Sequence, residues 1–270
     1  MSSHARLTWP DLLARPRPTG GERVPTGPDP LQFAELWRPT TSVPRGTLVV
    51  VHGGCWQTEI ADIRIMDWVC ADLAARGWAV WSLEYRGIDR PGGGWPGTFL
   101  DVAAAADALR AQDVPHERVI AVGHSAGGHL AMWLAARARL PEASLLWHPD
   151  PLPIHAVLCL GGLPDLELVS RPPHDTCDND PVPRLVGDRP DRFADTSPAE
   201  LLPFPATQVL VNTTEDRIAP PELARLWAER AAASGCVAQL VTAPGEGHVE
   251  LIAPGSAAWA ATLAALEEIA

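Results

Sequence analysis

The segment Gly123-His124-Ser125-Ala126-Gly127 reads G-x-S-x-G. It follows RVIAV, a short run of strand composition, and opens AGGHLAMWLAARA, a run of helical composition. A serine on a sharp strand-to-helix turn stands above a sheet and at a helix N-terminus, where peptide N–H groups favour developing negative charge. The chemistry such a placement supports is nucleophilic attack on a carbonyl. A Cβ would clash in so tight a turn, which accounts for Gly123 and Gly127 beside the serine. A chance Gly/Ser turn would not need both the strand before it and the helix after it.

Carbonyl attack creates an oxyanion, which needs preorganised N–H donors. Val51-His52-Gly53-Gly54-Cys55-Trp56 directly follows the apolar run GTLVVV and offers them. Two successive glycines let backbone curl around an oxygen without side-chain obstruction. The expected donors are the N–H groups of Gly53, Gly54 and Ala126. His52 is expected to brace the loop by hydrogen bonding. Trp56 is placed beside substrate, walling an acyl pocket, with plain core packing as the competing role.

A serine hydroxyl needs a base. Of nine histidines, only His248 lies after the last strand-like run with the chain order Ser, acid, His. It sits in the glycine-flanked segment Gly245-Glu246-Gly247-His248-Val249-Glu250. His124 adjoins the serine but is expected to point away from it. The orienting acid is Asp216, in a turn after TQVLV, where helix N-terminal charge complementarity is the blander role. Glu215 is its adjacent rival and Asp165 its distant one.

These groups need a scaffold that presents loops at one end of a sheet. Strand-like runs at residues 46–51, 78–83, 118–122, 155–160, 207–211 and 237–242 alternate with helix-like runs at 60–76, 98–112, 126–138, 221–234 and 256–268. That alternation predicts a mostly parallel sheet with helices on both faces, an α/β class. Residues 32–38 are expected as an early edge strand and residues 1–30 as a wrapping arm. One stretch, about 164–205, is dense in Pro and Asp and is expected as a small cap-like insertion within a single domain.

Composition bounds the rest. The chain has 270 residues, with 21 basic against 33 acidic residues and a formal charge of −12. So acidic a chain is a poor partner for nucleic acid or anionic membranes. All the basic residues are arginine, which excludes Schiff-base or P-loop lysine chemistry. The five cysteines are scattered and odd in number, so neither a disulfide framework nor a CxxC metal or redox site is expected. The N-terminal residues lack a signal-peptide core and no apolar run is long enough to span a bilayer, giving a cytoplasmic expectation. The cluster from His174 to Asp180 matches neither zinc nor EF-hand spacing and reads as a solvated acidic loop. No metal or organic cofactor is called for.

Together HGGCW, GHSAGG, NTTEDRIAP and GEGHVELIAPGSAAW resemble the α/β-hydrolase superfamily, and within it the esterase/lipase branch with an HGGxW loop. Kynurenine formamidases and small bacterial carboxylesterases share that loop. The resemblance runs from about Gln32 to the C-terminus and includes EYRG and GGGWPGTFLDV. It implies an α/β-hydrolase fold, Ser125, Asp216 and His248 as a triad, and Gly53, Gly54 and Ala126 as oxyanion donors. Its D-x-x-x-P turn matches Asp216 to Pro220, and its G-x-G-H-x-[DE] run matches His248. Cys55 and Val249 depart from the pattern, and the 164–205 segment matches none.

The expected activity is hydrolysis of small carboxylic esters or aryl formamides such as N-formylkynurenine, through an acyl-enzyme. A prolyl-oligopeptidase-like peptidase and a non-catalytic ligand-binding homologue are the alternatives. Trp56 and Trp95 are expected near substrate, and Arg86 and Arg90 at the site's rim. Edge-strand and helix-mediated homodimers both fit the pattern.

Overall fold

A computed structural model describes residues 6–174, 177 and 180–270. Eight strands form one sheet: β1 (Glu22–Pro25), β2 (Phe33–Trp37), β3 (Thr47–Val51), β4 (Ala79–Leu83), β5 (Val119–His124), β6 (Ile154–Leu160), β7 (Thr207–Thr213) and β8 (Ala238–Ala243). Their spatial order is β1-β2-β4-β3-β5-β6-β7-β8. The pairs β1–β2 and β2–β4 are antiparallel and all others parallel. The helices are α1 (Trp9–Leu13), α2 (Asp67–Ala75), α3 (Gly97–Asp107), α4 (Ala126–Ala136), α5 (Leu166–Val169), α6 (Pro181–Val186), α7 (Pro221–Ala233) and α8 (Ala257–Ile269).

The apolar runs become strands buried on both faces, as parallel sheets require. In β3, Leu48 and Val50 face one core with Val69 and Leu73 of α2 and Leu266 of α8. Val49 and Val51 face the other with Val102 of α3, Leu130 of α4 and Trp227 of α7. Side chains alternate across a strand, so one continuous apolar run feeds both layers. Each fully buried Val or Leu stabilises this arrangement by about 1.5–3 kcal/mol. Every residue of α4 is buried, which an apolar surface on all sides of a helix permits.

Two expectations are corrected near the N-terminus. Residues 33–37 do form a strand, but not an edge strand, because β1 pairs outside it with Glu22 opposite Leu36. The run Glu22-Arg23-Val24-Pro25 carries no apolar/polar alternation to mark it as a strand, and the Arg23 guanidinium lying 3.5 Å over the Phe33 ring helps fix the pairing. The arm also contains α1, opened by a capping box between Thr8 and Asp11. Farther on, the stretch expected as one helix over 60–76 starts as a 3-10 turn, Ile63–Met66, capped by Asp62 accepting from the Arg64 amide at 3.0 Å.

The 164–205 segment carries α5, α6 and a 3-10 turn, Pro198–Leu201. It packs against α4. The Thr196 carbonyl accepts from His129 Nε2 at 2.8 Å and the Asp195 carbonyl from Trp133 Nε1 at 2.8 Å. Of the His174–Asp180 cluster, Asp175, Thr176, Asp178 and Asn179 lie outside the described residues. No helix among the described residues is long and apolar enough to cross a membrane.

Candidate active site

Strands β3, β5, β7 and β8 run parallel, so the loops after them emerge at one end of the sheet. That end is where open α/β sheets bind ligands. The β3 loop holds the two glycines, the β5 turn Ser125, the β7 turn Asp216 and the β8 loop His248.

Ser125 takes φ 56° and ψ −123°, a backbone conformation costing a non-glycine residue on the order of 1–3 kcal/mol. Its neighbours over-determine it. The Ser125 amide donates to the Leu160 carbonyl at 2.9 Å, and its carbonyl accepts from the Gly128 amide at 2.8 Å. A Cβ on Gly127 would lie 2.2 Å from the Val51 carbonyl oxygen, so only glycine lets α4 start this close to β3.

The β3 loop closes over the same turn. A Cβ on Gly53 would fall 3.0 Å from that of Ser125, and Gly54 has φ +107°. Among the described residues, no acceptor takes the N–H of Gly53, Gly54 or Ala126. His52 braces this loop, as its sequence context suggests. Its Nδ1 lies 2.8 Å from the Gly53 carbonyl and its Nε2 2.9 Å from Glu84 Oε1. Both partners are acceptors, which calls for a proton on each ring nitrogen. Burial opposes that charge, but the Glu84 carboxylate and the Gly53 carbonyl outweigh it and raise the His52 pKa. The ring stacks on Tyr85 at 4.3 Å, and the Tyr85 hydroxyl donates to the His52 carbonyl at 3.0 Å.

His248 Nδ1 donates to Asp216 Oδ2 at 2.6 Å, and both residues are buried. Asp216 Oδ1 accepts from the amides of Ile218 and Ala219, each at 2.8 Å, which turns the other oxygen toward the ring. Burial alone would raise the Asp216 pKa, but the His248 bond and charge and the two amides hold it below the ordinary carboxylate range. The two loops are laced together, since the Glu215 amide donates to the Glu246 carbonyl at 3.0 Å and Thr213 Oγ1 to the Gly247 carbonyl at 3.0 Å. Of the rival acids, Glu215 is exposed and Asp165 pairs with Arg230 at 2.8 Å.

Ser125 and His248 face one cavity of about 250 Å3, with Gly54, Cys55 and His124. Its apolar wall comes from Trp9, Leu13, Ile60, Ala61, Ile65 and Ile218. His124 does not point away from this site. Its Nε2 donates to the His248 carbonyl at 3.1 Å and its ring centre lies 4.4 Å from that of His248. Burial and the neighbouring His248 push its pKa down to about 3, so the ring is neutral.

Several expected positions fall elsewhere. Trp56 is fully buried in the core, with Nε1 donating to His129 Nδ1 at 3.1 Å. Its backbone is left-handed, φ 57°, its ring packs edge-on to His129 of α4, and it does not line the cavity with Ser125. Trp95 lies under the Arg189 guanidinium, 4.1 Å from the ring, and does not line the cavity. Arg86 is locked onto Asp101 at 2.7 and 2.8 Å, and Arg90 lines a separate crevice with it.

The cysteine expectation is also corrected. Cys55 and Cys177 form a disulfide, with Cα atoms 6.0 Å apart and 122 residues between them in sequence. No local spacing announces a pair so distant, which only the folding of the insertion onto the β3 loop brings together. A disulfide is unusual in a reducing cytosol.

Sequence reasoning missed Trp9, Leu13 and Gly161. The Thr8-x-x-Asp11 capping box was a signal for α1, but nothing local could say where that helix docks. Gly161 has φ +50°, and a Cβ there would lie 3.1 Å from both Asp216 Oδ2 and His248 Nδ1. Glu250, the acidic end of the G-x-G-H-x-[DE] run, accepts from the Leu7 and Gly247 amides and ties the N-terminal segment to the His248 loop.

The BD-FAE family model matches residues 36–230, about 72% of the chain. The chain belongs to the BD-FAE family. Kynurenine formamidase avaC of Aspergillus versicolor is 33% identical over 138 residues, which cover 46% of each chain. The matched region thus spans about half the length of that curated relative. Among solved structures, native esterase 2 of Thermogutta terrifontis is similar at TM-score 0.70 and 21% identity, covering 92% of this chain and 91% of that one. Inhibited esterase B from Lactobacillus rhamnosis is similar at TM-score 0.77 and 18% identity, covering 92% and 84%. The architecture is that of an α/β-hydrolase.

Proposed function

We propose that this protein is a serine hydrolase of small carboxylic esters or aryl formamides. One observation carries the reading: His248, held by the buried Asp216 at 2.6 Å, lines the same cavity as the strained Ser125. In the proposed reaction, His248 Nε2 takes the Ser125 hydroxyl proton as Oγ attacks the carbonyl carbon. The oxygen, gaining negative charge, is met by the N–H groups of Gly53, Gly54 and Ala126. His248 then returns the proton to the departing alcohol or amine, and water releases the acyl group by the same steps. Asp216 holds the tautomer with Nδ1 protonated and offsets the imidazolium charge. The likeness to a protein named a kynurenine formamidase supports formamides, and the likeness to esterases supports esters.

A fluorophosphonate probe followed by mass spectrometry tests this directly. Labelling of Ser125, loss of turnover in Ser125→Ala and retention of its fold are the expected results. A folded, unlabelled protein that binds a small ligand without turnover would replace the hydrolase with a receptor. Rates on N-formylkynurenine and 4-nitrophenyl acetate divide formamide from ester preference.

A further inference from the structure

The cavity above Ser125 is unusual in what supplies its wall. None of the described residues of the 164–205 insertion lines it, and Cys177 reaches it only through its bond to Cys55. Its outer side is instead closed by Trp9 and Leu13 of α1. Trp9 stands edge-on to both site histidines, with ring centres 6.0 Å from His124 and 6.4 Å from His248.

The N-terminal segment is pinned in place from several sides. Leu12 is fully buried in the core beneath the sheet. The Leu7 amide donates to Glu250, two residues from His248. Arg15 donates to the Pro254 carbonyl at 3.0 Å, Arg17 pairs with Asp67, and the Pro16 carbonyl accepts from Trp68 Nε1 at 3.1 Å. So many anchors make α1 a fixed wall whose side chains set the shape of the space beside Ser125.

The charge of that space is equally defined. Among the described residues, no arginine lines the cavity, and the sequence has no lysine. The titratable rings facing it are His124 and His248, and His124 is held neutral. Two cationic side chains line the adjoining groove beyond Leu13, Ile60 and Ile65, Arg17 and Arg64, each already paired with a carboxylate, Asp67 and Asp62. Arg217, next to the lining residue Ile218, and Arg6, against Gly247, are exposed and are not part of the cavity wall. An anionic group brought in beside Ser125 would lose water and find no arginine or lysine in that wall.

We propose that α1 is the specificity element of this site, with Trp9 limiting the size of the group it admits, and that the cavity takes an uncharged apolar acyl group and rejects an anionic one. This rests on the hydrolase reading above. A zwitterionic substrate fits only if its charged end lies outside, in the Arg17–Arg64 groove.

The test compares 4-nitrophenyl butyrate with 4-nitrophenyl hydrogen succinate, which share a leaving group and differ by a carboxylate. The longer 4-nitrophenyl octanoate is the third substrate, and fluorophosphonate labelling of Ser125 runs alongside. The expected result is a kcat/KM at least 100-fold lower for the succinate. Trp9→Ala should raise kcat/KM for octanoate relative to butyrate by at least tenfold, while Trp9→Phe keeps most of the native ratio. Leu13 is 57% exposed, so Leu13→Arg is tolerated by the fold and supplies the missing cation. It should narrow the butyrate-to-succinate gap by at least fivefold. A labelled, active protein that hydrolyses butyrate and succinate within threefold of each other overturns the charge half of the proposal. An unchanged chain-length profile in a folded, labelled Trp9→Ala protein overturns the size half. Absence of both labelling and turnover overturns the hydrolase reading and this inference with it.

Discussion

Replacing Glu84 by glutamine should loosen the β3 loop, the oxyanion site of the proposed reaction, while leaving Ser125, His248 and Asp216 in place. Glu84 is buried and accepts three hydrogen bonds: His52 Nε2 at 2.9 Å, the Tyr85 amide at 2.9 Å and the Ile63 amide at 3.0 Å. A glutamine has one acceptor oxygen, so its NH2 must face a donor on one side. The substitution also strips the counter-charge from the His52 imidazolium. Breaking a buried charged pair from one side costs about 3–5 kcal/mol. At about 2–4 °C per kcal/mol for a chain of this size, Tm should fall by about 6–20 °C. His52 will then tend to lose a proton, and the neutral ring holds the Gly53 carbonyl only in its Nδ1–H tautomer, in competition with the tautomer whose Nε2–H donates to the glutamine oxygen. Loss of one oxyanion donor typically lowers kcat about 10²–10³-fold, and a similar fall is expected here with KM little changed. The pH dependence has a definite sign. The folded His52 pKa is raised, so its contribution to stability is full below its unfolded value of about 6.5 and is lost as pH rises through the raised value. The Tm gap between native protein and variant should therefore be widest near pH 5.5 and shrink in alkali. Calorimetry across that range and steady-state kinetics on 4-nitrophenyl acetate measure both effects. A variant with Tm within 2 °C and kcat within threefold of the native protein would refute the bracing role.

Asp216→Asn should keep its oxygen on the Ile218 and Ala219 amides and turn NH2 toward His248, favouring the tautomer that cannot take the serine proton. Turnover should fall about 10³–10⁴-fold in a folded protein, and since the Asp216 pKa is lowered, the stability difference should vanish as pH drops through that lowered value. Gly161→Ala should cost about 1–2 kcal/mol for its left-handed backbone and at least tenfold in kcat, because the new methyl group would press on the Asp216–His248 bond and meet Leu251 at 2.7 Å. Dithiothreitol should raise the thiols titratable in denaturant from three to five and destabilise the fold by about 2–4 kcal/mol; an unchanged thiol count and Tm would remove the Cys55–Cys177 bridge from the account.

Much of this arrangement was legible in the chain alone. Periodicity and apolar runs are local properties, so the alternating strands and helices emerged within a few residues of their observed ends. The motif around Ser125 was readable because the turn's steric demands select glycine at fixed neighbouring positions, and Gly127 against the Val51 carbonyl is that demand made visible. Asp216 could be singled out as the candidate partner of His248 because its turn, its strand and its chain order all appear in the sequence, and the two side chains meet at 2.6 Å.

What tertiary structure alone decided is which distant surfaces meet. His124 and Trp56 lie on the expected segments, yet His124 joins the cavity and Trp56 is buried against His129 of α4, a difference that sequence distance from Ser125 does not record. The N-terminal helix becomes the site's wall through anchors to residues about 240 positions away, such as Leu7 to Glu250 and Arg15 to Pro254. The Cys55–Cys177 bridge has the same character. Local sequence records what each segment can form by itself. Docking depends on the summed packing and hydrogen bonding of many residues, each contributing little, and that sum exists only when the chain is folded.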